Sequence, residues 1–205
     1  MFQAAVSADQ AIEAFWQREL EEHRVVLQAT REALAPAFTR VLEVCEQSIR
    51  GGGKLLIFGN GGSAADAQHI AAELVVRYKT DRPAIAAIAL TTDTSALTAC
   101  SNDLGFEAVF GRQVEALGRP GDVAMGISTS GRSPNVLAGL TSARKLGLRT
   151  VGLCGVDGGG MAPLCDALLV VPSKTTARIQ EMHITLGHAL CSALEHRLGM
   201  LQQSL

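Results

Sequence analysis

Leu55-Leu56-Ile57-Phe58, set between Gly51-Gly52-Gly53 and Gly59-Asn60-Gly61-Gly62-Ser63, is the stretch around which the rest of the chain organises. Four consecutive apolar residues bounded by glycine describe a strand buried on both faces, as a parallel sheet requires. The glycines that follow let backbone N–H groups approach a ligand. Ser63 is a natural N-cap for a helix running to about Arg77. Strand, glycine turn and helix N-terminus in that order make an anion site, because unpaired N–H groups and the positive end of the helix dipole both favour phosphate. On the same helix His69 and Glu73 stand four residues apart, hence on one face, where an imidazole and a carboxylate can share a cation or a substrate. Taken alone, that pair describes a solvated polar stripe at least as well.

Outward from this unit the pattern repeats. Strands are expected near 54–59, 85–90, 122–127, 149–154 and 167–171, with helical periodicity between them. Such alternation predicts a doubly wound α/β three-layer sandwich on a five-stranded parallel sheet. Ahead of it, residues from about Ser7 to Arg50 read as two helices, with Leu27, Leu34, Phe38, Val41, Cys45 and Ile49 near helical spacing. The division is therefore an N-terminal helical arm over 1–50, packing on the domain or on a partner subunit, and a domain over 51–205.

The strand Asp122-Val123-Ala124-Met125-Gly126-Ile127 runs into Ser128-Thr129-Ser130-Gly131-Arg132-Ser133-Pro134-Asn135. Hydroxyls at the C-terminal end of a parallel strand suit phosphate oxygens, although an ordinary Ser-rich cap before a helix at about 134–146 is the plainer reading of any one of them. A last helix follows the Pro172-Ser173 break and carries Gln180, His183 and His188. His183, among apolar neighbours, reads as a hydrogen-bonded core residue. Gln180 and His188 lie about 12 Å apart along a helix axis. They reach one small ligand only if their side chains converge, or if a neighbouring subunit supplies one of them. Gly158-Gly159-Gly160 reads as a flexible turn after the fourth strand.

A length of 205 residues suits one domain with a sheet covered on both faces. A net charge of −2 without a basic run, together with six Phe, one Trp and one Tyr, argues against direct nucleic-acid binding. Five cysteines without a C-x-x-C pair (Cys45, Cys100, Cys154, Cys165 and Cys191) fit reduced core thiols rather than a disulfide framework. The opening Met1-Phe2-Gln3-Ala4-Ala5-Val6 lacks a basic region and a long apolar core, and no apolar run is long enough for a membrane span. A soluble protein that is not exported is expected.

The segments Gly59-Asn60-Gly61-Gly62-Ser63, Ser128-Thr129-Ser130-Gly131-Arg132-Ser133 and Arg178-Ile179-Gln180-Glu181, with Asn102-Asp103-Leu104-Gly105-Phe106 between them, resemble the sugar isomerase (SIS) family and, within it, the phosphoheptose isomerases. The resemblance covers the chain from about Gly51 onward. It implies a cytoplasmic homotetramer with one Zn2+ per subunit, held by His69, Glu73, Gln180 and His188. It also implies sugar-phosphate contacts from Asn60, Gly61, Gly62, Asn102, Asp103, Ser128, Thr129, Ser130 and Ser133, to which the chemistry adds Ser63, Glu73 and Gln180. The implied reaction converts sedoheptulose 7-phosphate to D-glycero-D-manno-heptose 7-phosphate, the first step toward ADP-heptose and lipopolysaccharide. Moving a proton between C1 and C2 of an open-chain sugar requires a base and stabilisation of an enediolate oxygen. Glu73 is the candidate base and His188 the candidate acid.

The chain departs from the pattern at Ala177, where some phosphoheptose isomerases carry Asp. A non-catalytic SIS relative that associates with the bacterial replication initiator is similar to the run from Thr176 to His183 and is the alternative reading; the distal histidine, His188, separates the two in favour of the enzyme. A third reading, a sugar-phosphate-sensing regulator, calls for an additional domain for which this length leaves no room.

Overall fold

The computed structural model of the chain describes residues 8–200. Ser7 and the opening residues on which the expectation of an unexported protein rests lie outside them. Two helices come first, α1 (Ala8–Ala33) and α2 (Ala35–Arg50), with Pro36 in the first turn of α2 where its missing N–H costs nothing. Five strands follow, β1 (Leu55–Gly59), β2 (Ala87–Ala89), β3 (Val123–Ser128), β4 (Arg149–Gly155) and β5 (Ala167–Val171). Between them lie α3 (Gly62–Val75), α4 (Thr94–Asp103), α5 (Val109–Leu117) and α6 (Pro134–Lys145), and α7 (Thr176–Arg197) closes the fold. Short 3-10 turns occupy Phe106–Ala108 and Gly159–Leu164.

The sheet is parallel throughout in the order β2-β1-β3-β4-β5. Its strands alternate between two cores. Leu55, Ile57, Met125 and Ile127 face α2, α3 and α7, while Leu56 and Phe58 face α5 and α6. Phe58 stacks on Phe110 at 5.2 Å between ring centroids. Each fully buried Leu, Ile or Phe contributes on the order of 1.5–3 kcal/mol, which is why the apolar run at 55–58 could settle only in the centre of the sheet. A smaller cluster of Val26, Val171, Ile179 and Met182 fastens α1 to β5 and α7.

The five-stranded α/β sandwich with N-terminal helices is the architecture the sequence predicts, with local differences. β2 is three residues long instead of six, a short edge strand. β3 starts one residue later than expected because Asp122 serves as a tie: its carboxylate accepts from the Lys54 and Arg119 backbone N–H groups and pairs with Lys54 Nζ at 2.6 Å. α3 ends at Val75 rather than Arg77, and its N-cap is Gly61, with Ser63 already inside the first turn. The Gly158–Gly160 segment is not a loose turn. Gly160 N–H donates to the Gly131 carbonyl at 2.8 Å, and a Cβ on Gly159 would lie 2.6 Å from that oxygen. All five cysteines are free thiols; Cys45 and Cys191 sit in α2 and α7, and burial pushes both up to about 12. No helix among the described residues is long and apolar enough to cross a membrane.

His183 is the buried core residue expected of it, set against the Cys154 backbone. Burial pushes its pKa down to about 4, only partly offset by the Cys154 backbone. The unfolded chain therefore binds this proton near 6.5 and the folded one only near 4, so stability is complete above about pH 6.5 and is lost as pH falls through that window. His183→Leu should remove about 2 kcal/mol of the wild-type loss between pH 7 and pH 5, read as the difference between urea unfolding curves at the two pH values.

Candidate active site

The sheet order reverses direction between β1 and β3, and ligands of open parallel sheets bind outside the C-terminal ends of strands at such a switch point. Gly59 ends β1 and pairs with Ile127, one residue before Ser128 ends β3. Both signature loops thus emerge side by side. Asn60 and Asn135 exchange two amide hydrogen bonds of 2.8 Å across the gap, binding the first loop to the start of α6. The Asn60 side chain, expected to touch substrate, takes part in that bridge. Ser63 is buried in the first turn of α3, leaving the Gly61–Gly62 backbone at the crevice.

Facing it, Ser128 and Ser133 hydroxyls lie 2.9 Å apart. Ser130 is exposed, and its hydroxyl accepts the Arg132 N–H at 3.2 Å. The Thr129 carbonyl accepts from Gly155 N–H at 3.0 Å, anchoring the loop to β4. Gly131 turns it at φ +65°, where any Cβ would fall on the Gly158 carbonyl. Arg132 reaches Asp157 at 2.8 Å, and this pairing holds the Asp157 carboxyl below its usual range.

The second cluster lies further along α3. His69 Nε2 is 2.8 Å from His188 Nε2 and 3.3 Å from Glu73 Oε1, and one ligand atom from each of the three residues falls within 4.8 Å of the others. Four-coordinate zinc with bonds of about 2.0–2.1 Å places neighbouring donor atoms on the order of 3.3 Å apart, so the two imidazoles and the carboxylate fit a tetrahedral cation. The spacing on α7 resolves within one chain. Gln180 packs against Gly62, where a Cβ would lie 2.5 Å from its Nε2, while His188 meets His69. The two helices run side by side in the same direction, and at Gly187 a Cβ would sit 2.8 Å from Ile70, so a glycine is what permits the approach.

The structure therefore gathers His69, Glu73 and His188 and leaves the Gln180 amide beside the glycine turn. Asn102 and Asp103 end α4 in exposed positions, paired with each other at 2.7 Å, and neither shares a hydrogen bond with the cluster. Two further residues escape a reading by motif. Asp66, three residues before His69 on α3, has a buried oxygen without a hydrogen-bond partner among the described residues, and burial lifts its carboxyl to about 6 against the opposing charge of His69. Its i, i+3 spacing from His69 is the signal that could have found it. Tyr78 stacks on His188, ring centroids 5.5 Å apart at 22°, a contact across more than a hundred residues that no local pattern announces.

Gly131→Ala tests the loop. Strain at a positive φ and the clash with Gly158 should lower stability by about 1–3 kcal/mol in thermal unfolding and raise KM for a phosphorylated ligand more than they lower kcat.

A model of the SIS domain family matches residues 20–155. Among curated proteins, a phosphoheptose isomerase of Paramagnetospirillum magneticum is 59% identical over 181 residues, covering 88% of this chain and 94% of that one. Phosphoheptose isomerase 1 of Campylobacter jejuni is 57% identical over 179 residues, 87% and 96% of the two chains. Among solved structures, the phosphoheptose isomerase of Neisseria gonorrhoeae superposes with a TM-score of 0.86 at 44% identity, covering 90% of this chain and 99% of that one. The chain thus belongs to the SIS-domain family and, within it, to the phosphoheptose isomerases.

Proposed function

We infer that the protein is an aldose–ketose isomerase that converts sedoheptulose 7-phosphate to D-glycero-D-manno-heptose 7-phosphate. The observation that carries this reading is the placement of two sites along one helix: an anion-binding turn at Gly61–Gly62 and a reactive cluster at His69 and Glu73, about 10 to 16 Å further on. That separation suits a substrate with its phosphate at one end and its carbonyl at the other. Ser63, Ser128, Thr129, Ser130 and Ser133 hold the phosphate and spend its binding energy on positioning C1 and C2. Asn60, Asn102, Asp103 and Gln180 complete the sugar contacts.

Glu73 removes the proton from C1 and returns it to C2, while His188 carries the proton that leaves O1 for O2. A carboxylate has two oxygens, so Glu73 can accept a proton on one while the other stays engaged. Zn2+, which His69, Glu73, His188 and Gln180 would hold, would supply Lewis-acid polarisation of the carbonyl, and His188 would carry a proton only on a ring nitrogen not bound to the metal. The meeting of His188 with His69 and Glu73 supports this enzyme over the replication-associated relative, in which the distal histidine is not expected.

Residues 51–205 carry the chemistry in this reading, and the helices of 1–50 brace it and serve assembly. Ile12, Trp16, Leu20 and Leu27 form an exposed apolar stripe on α1 at helical spacing, with Phe15 beside it. Such a stripe is best covered by copies of the same chain, in a homotetramer. A product destined for ADP-heptose and lipopolysaccharide is in keeping with an enzyme of the cytoplasm.

Following sedoheptulose 7-phosphate by NMR should show the aldoheptose phosphate forming, lost on chelation and restored by Zn2+. Turnover without metal in fully chelated protein would remove the metal from the reaction. Glu73→Gln and His188→Gln should each cut kcat by at least about 100-fold with thermal unfolding unchanged; near-native rates would strike that residue from the proton path. Sedimentation should give a species larger than the monomer, and a fully active monomer would refute the assembly.

A further inference from the structure

Beyond the cluster lies a pair of charges that no part of the reaction uses. The side chains of Arg82 and Glu195 are both fully buried, with Arg82 Nε 2.8 Å from Glu195 Oε1. Arg82 also donates to the last-turn carbonyls of α3, to Leu74 at 2.8 Å and to Glu73 at 2.7 Å. The same Glu195 oxygen accepts the Tyr78 N–H at 3.2 Å, and the Tyr78 ring lies on His188. Glu195 itself stands seven residues after His188 on α7, two turns along the same face.

A buried ion pair is expensive, and an apolar pair of similar volume often serves stability as well or better. What an apolar pair cannot do is hold two backbone carbonyls of one helix and a backbone N–H beside another helix in fixed register. The carbonyls held are those of Glu73 and its neighbour, and the residue tied at the other end stacks on His188. We propose that Arg82, Glu195 and Tyr78 are positioning residues, a clamp that fixes the end of α3 bearing Glu73 against the turn of α7 bearing His188, so that the three cluster side chains meet in reactive geometry. The proposal rests on the isomerase reading for its substrate.

The test compares the Arg82→Met/Glu195→Leu double variant, which removes the charges together, with Tyr78→Leu and Tyr78→Phe. Two readouts are taken: steady-state isomerisation of sedoheptulose 7-phosphate, and titration with Co2+ followed by its visible absorption. The double variant should unfold cooperatively but lose on the order of 10- to 100-fold in kcat and in Co2+ affinity, with the loss in kcat exceeding any change in KM. Tyr78→Leu should share the loss in part, and Tyr78→Phe, which keeps the stacked ring, should restore it. A folded double variant with wild-type kcat and Co2+ affinity overturns the clamp. Should the double variant fail to fold, equal kcat in Tyr78→Leu and Tyr78→Phe overturns it instead. Wild-type protein that turns over without taking up Co2+ refutes the metal reading and leaves kcat of the same variants to decide. Wild-type protein that binds Co2+ but leaves the sugar phosphate unchanged refutes the isomerase reading and leaves Co2+ affinity to decide.

Discussion

The pairing of β1 with β3 is the constraint from which the rest of the molecule follows. Because β2 lies on the other side of β1, the chain leaves Gly59 toward one face of the sheet and Ser128 toward the other. Right-handed crossovers then send α3 into the core with α2 and α7, and α6 into the core with α5. The two departing backbones diverge, and the crevice between them cannot be filled by either helix. Asn60 and Asn135 bridge its floor, so that the gap is fixed in width rather than merely left open.

α3 serves this geometry twice. Its N-terminus faces the crevice, where free N–H groups and hydroxyls favour an anion without a buried lysine or arginine. Two turns on, it presents His69 and Glu73 to α7. Close approach of these helices depends on small residues at the contact, Gly62 opposite Gln180 and Gly187 opposite Ile70. The glycine turn and the His69–Glu73 pair are thereby set at a separation fixed by helix rise and not by loop conformation.

Polar groups buried away from the crevice show what the fold spends to keep this arrangement. Asp122 ties the starts of β1 and β3, and Arg178, almost fully buried, pairs with Glu181 at 2.7 Å and donates to the Glu19 carbonyl, joining α1 to the first turns of α7. Arg82 and Glu195 do the same at the far end of that helix. α7 is thus held at both ends by charges, with the apolar contacts of Ile179, Met182 and Leu190 between. His183 is the exception, buried against the Cys154 backbone and left neutral.

The sequence by itself determined the layers and the chemistry on offer. A run such as Leu55 to Phe58 between glycines reads as a doubly buried strand, and glycine, serine and histidine at these spacings show which groups end each strand, because both signals are local and periodic. The N-cap at Gly61, the short β2 and the rigidity of Gly158–Gly160 were not legible there, since each is decided by a neighbour distant in the chain: Gln180 against Gly62, the sheet edge, the Gly131 carbonyl. Only the tertiary structure decided that His188 joins His69 and Glu73 within one chain while Gln180 stays at the glycine turn, and that Tyr78, Arg82 and Glu195 stand behind them. Helical spacing gives the distance between two residues on α7, but the position of α3 alongside depends on how tightly the helices pack, and packing is a property of surfaces that meet only in the folded chain.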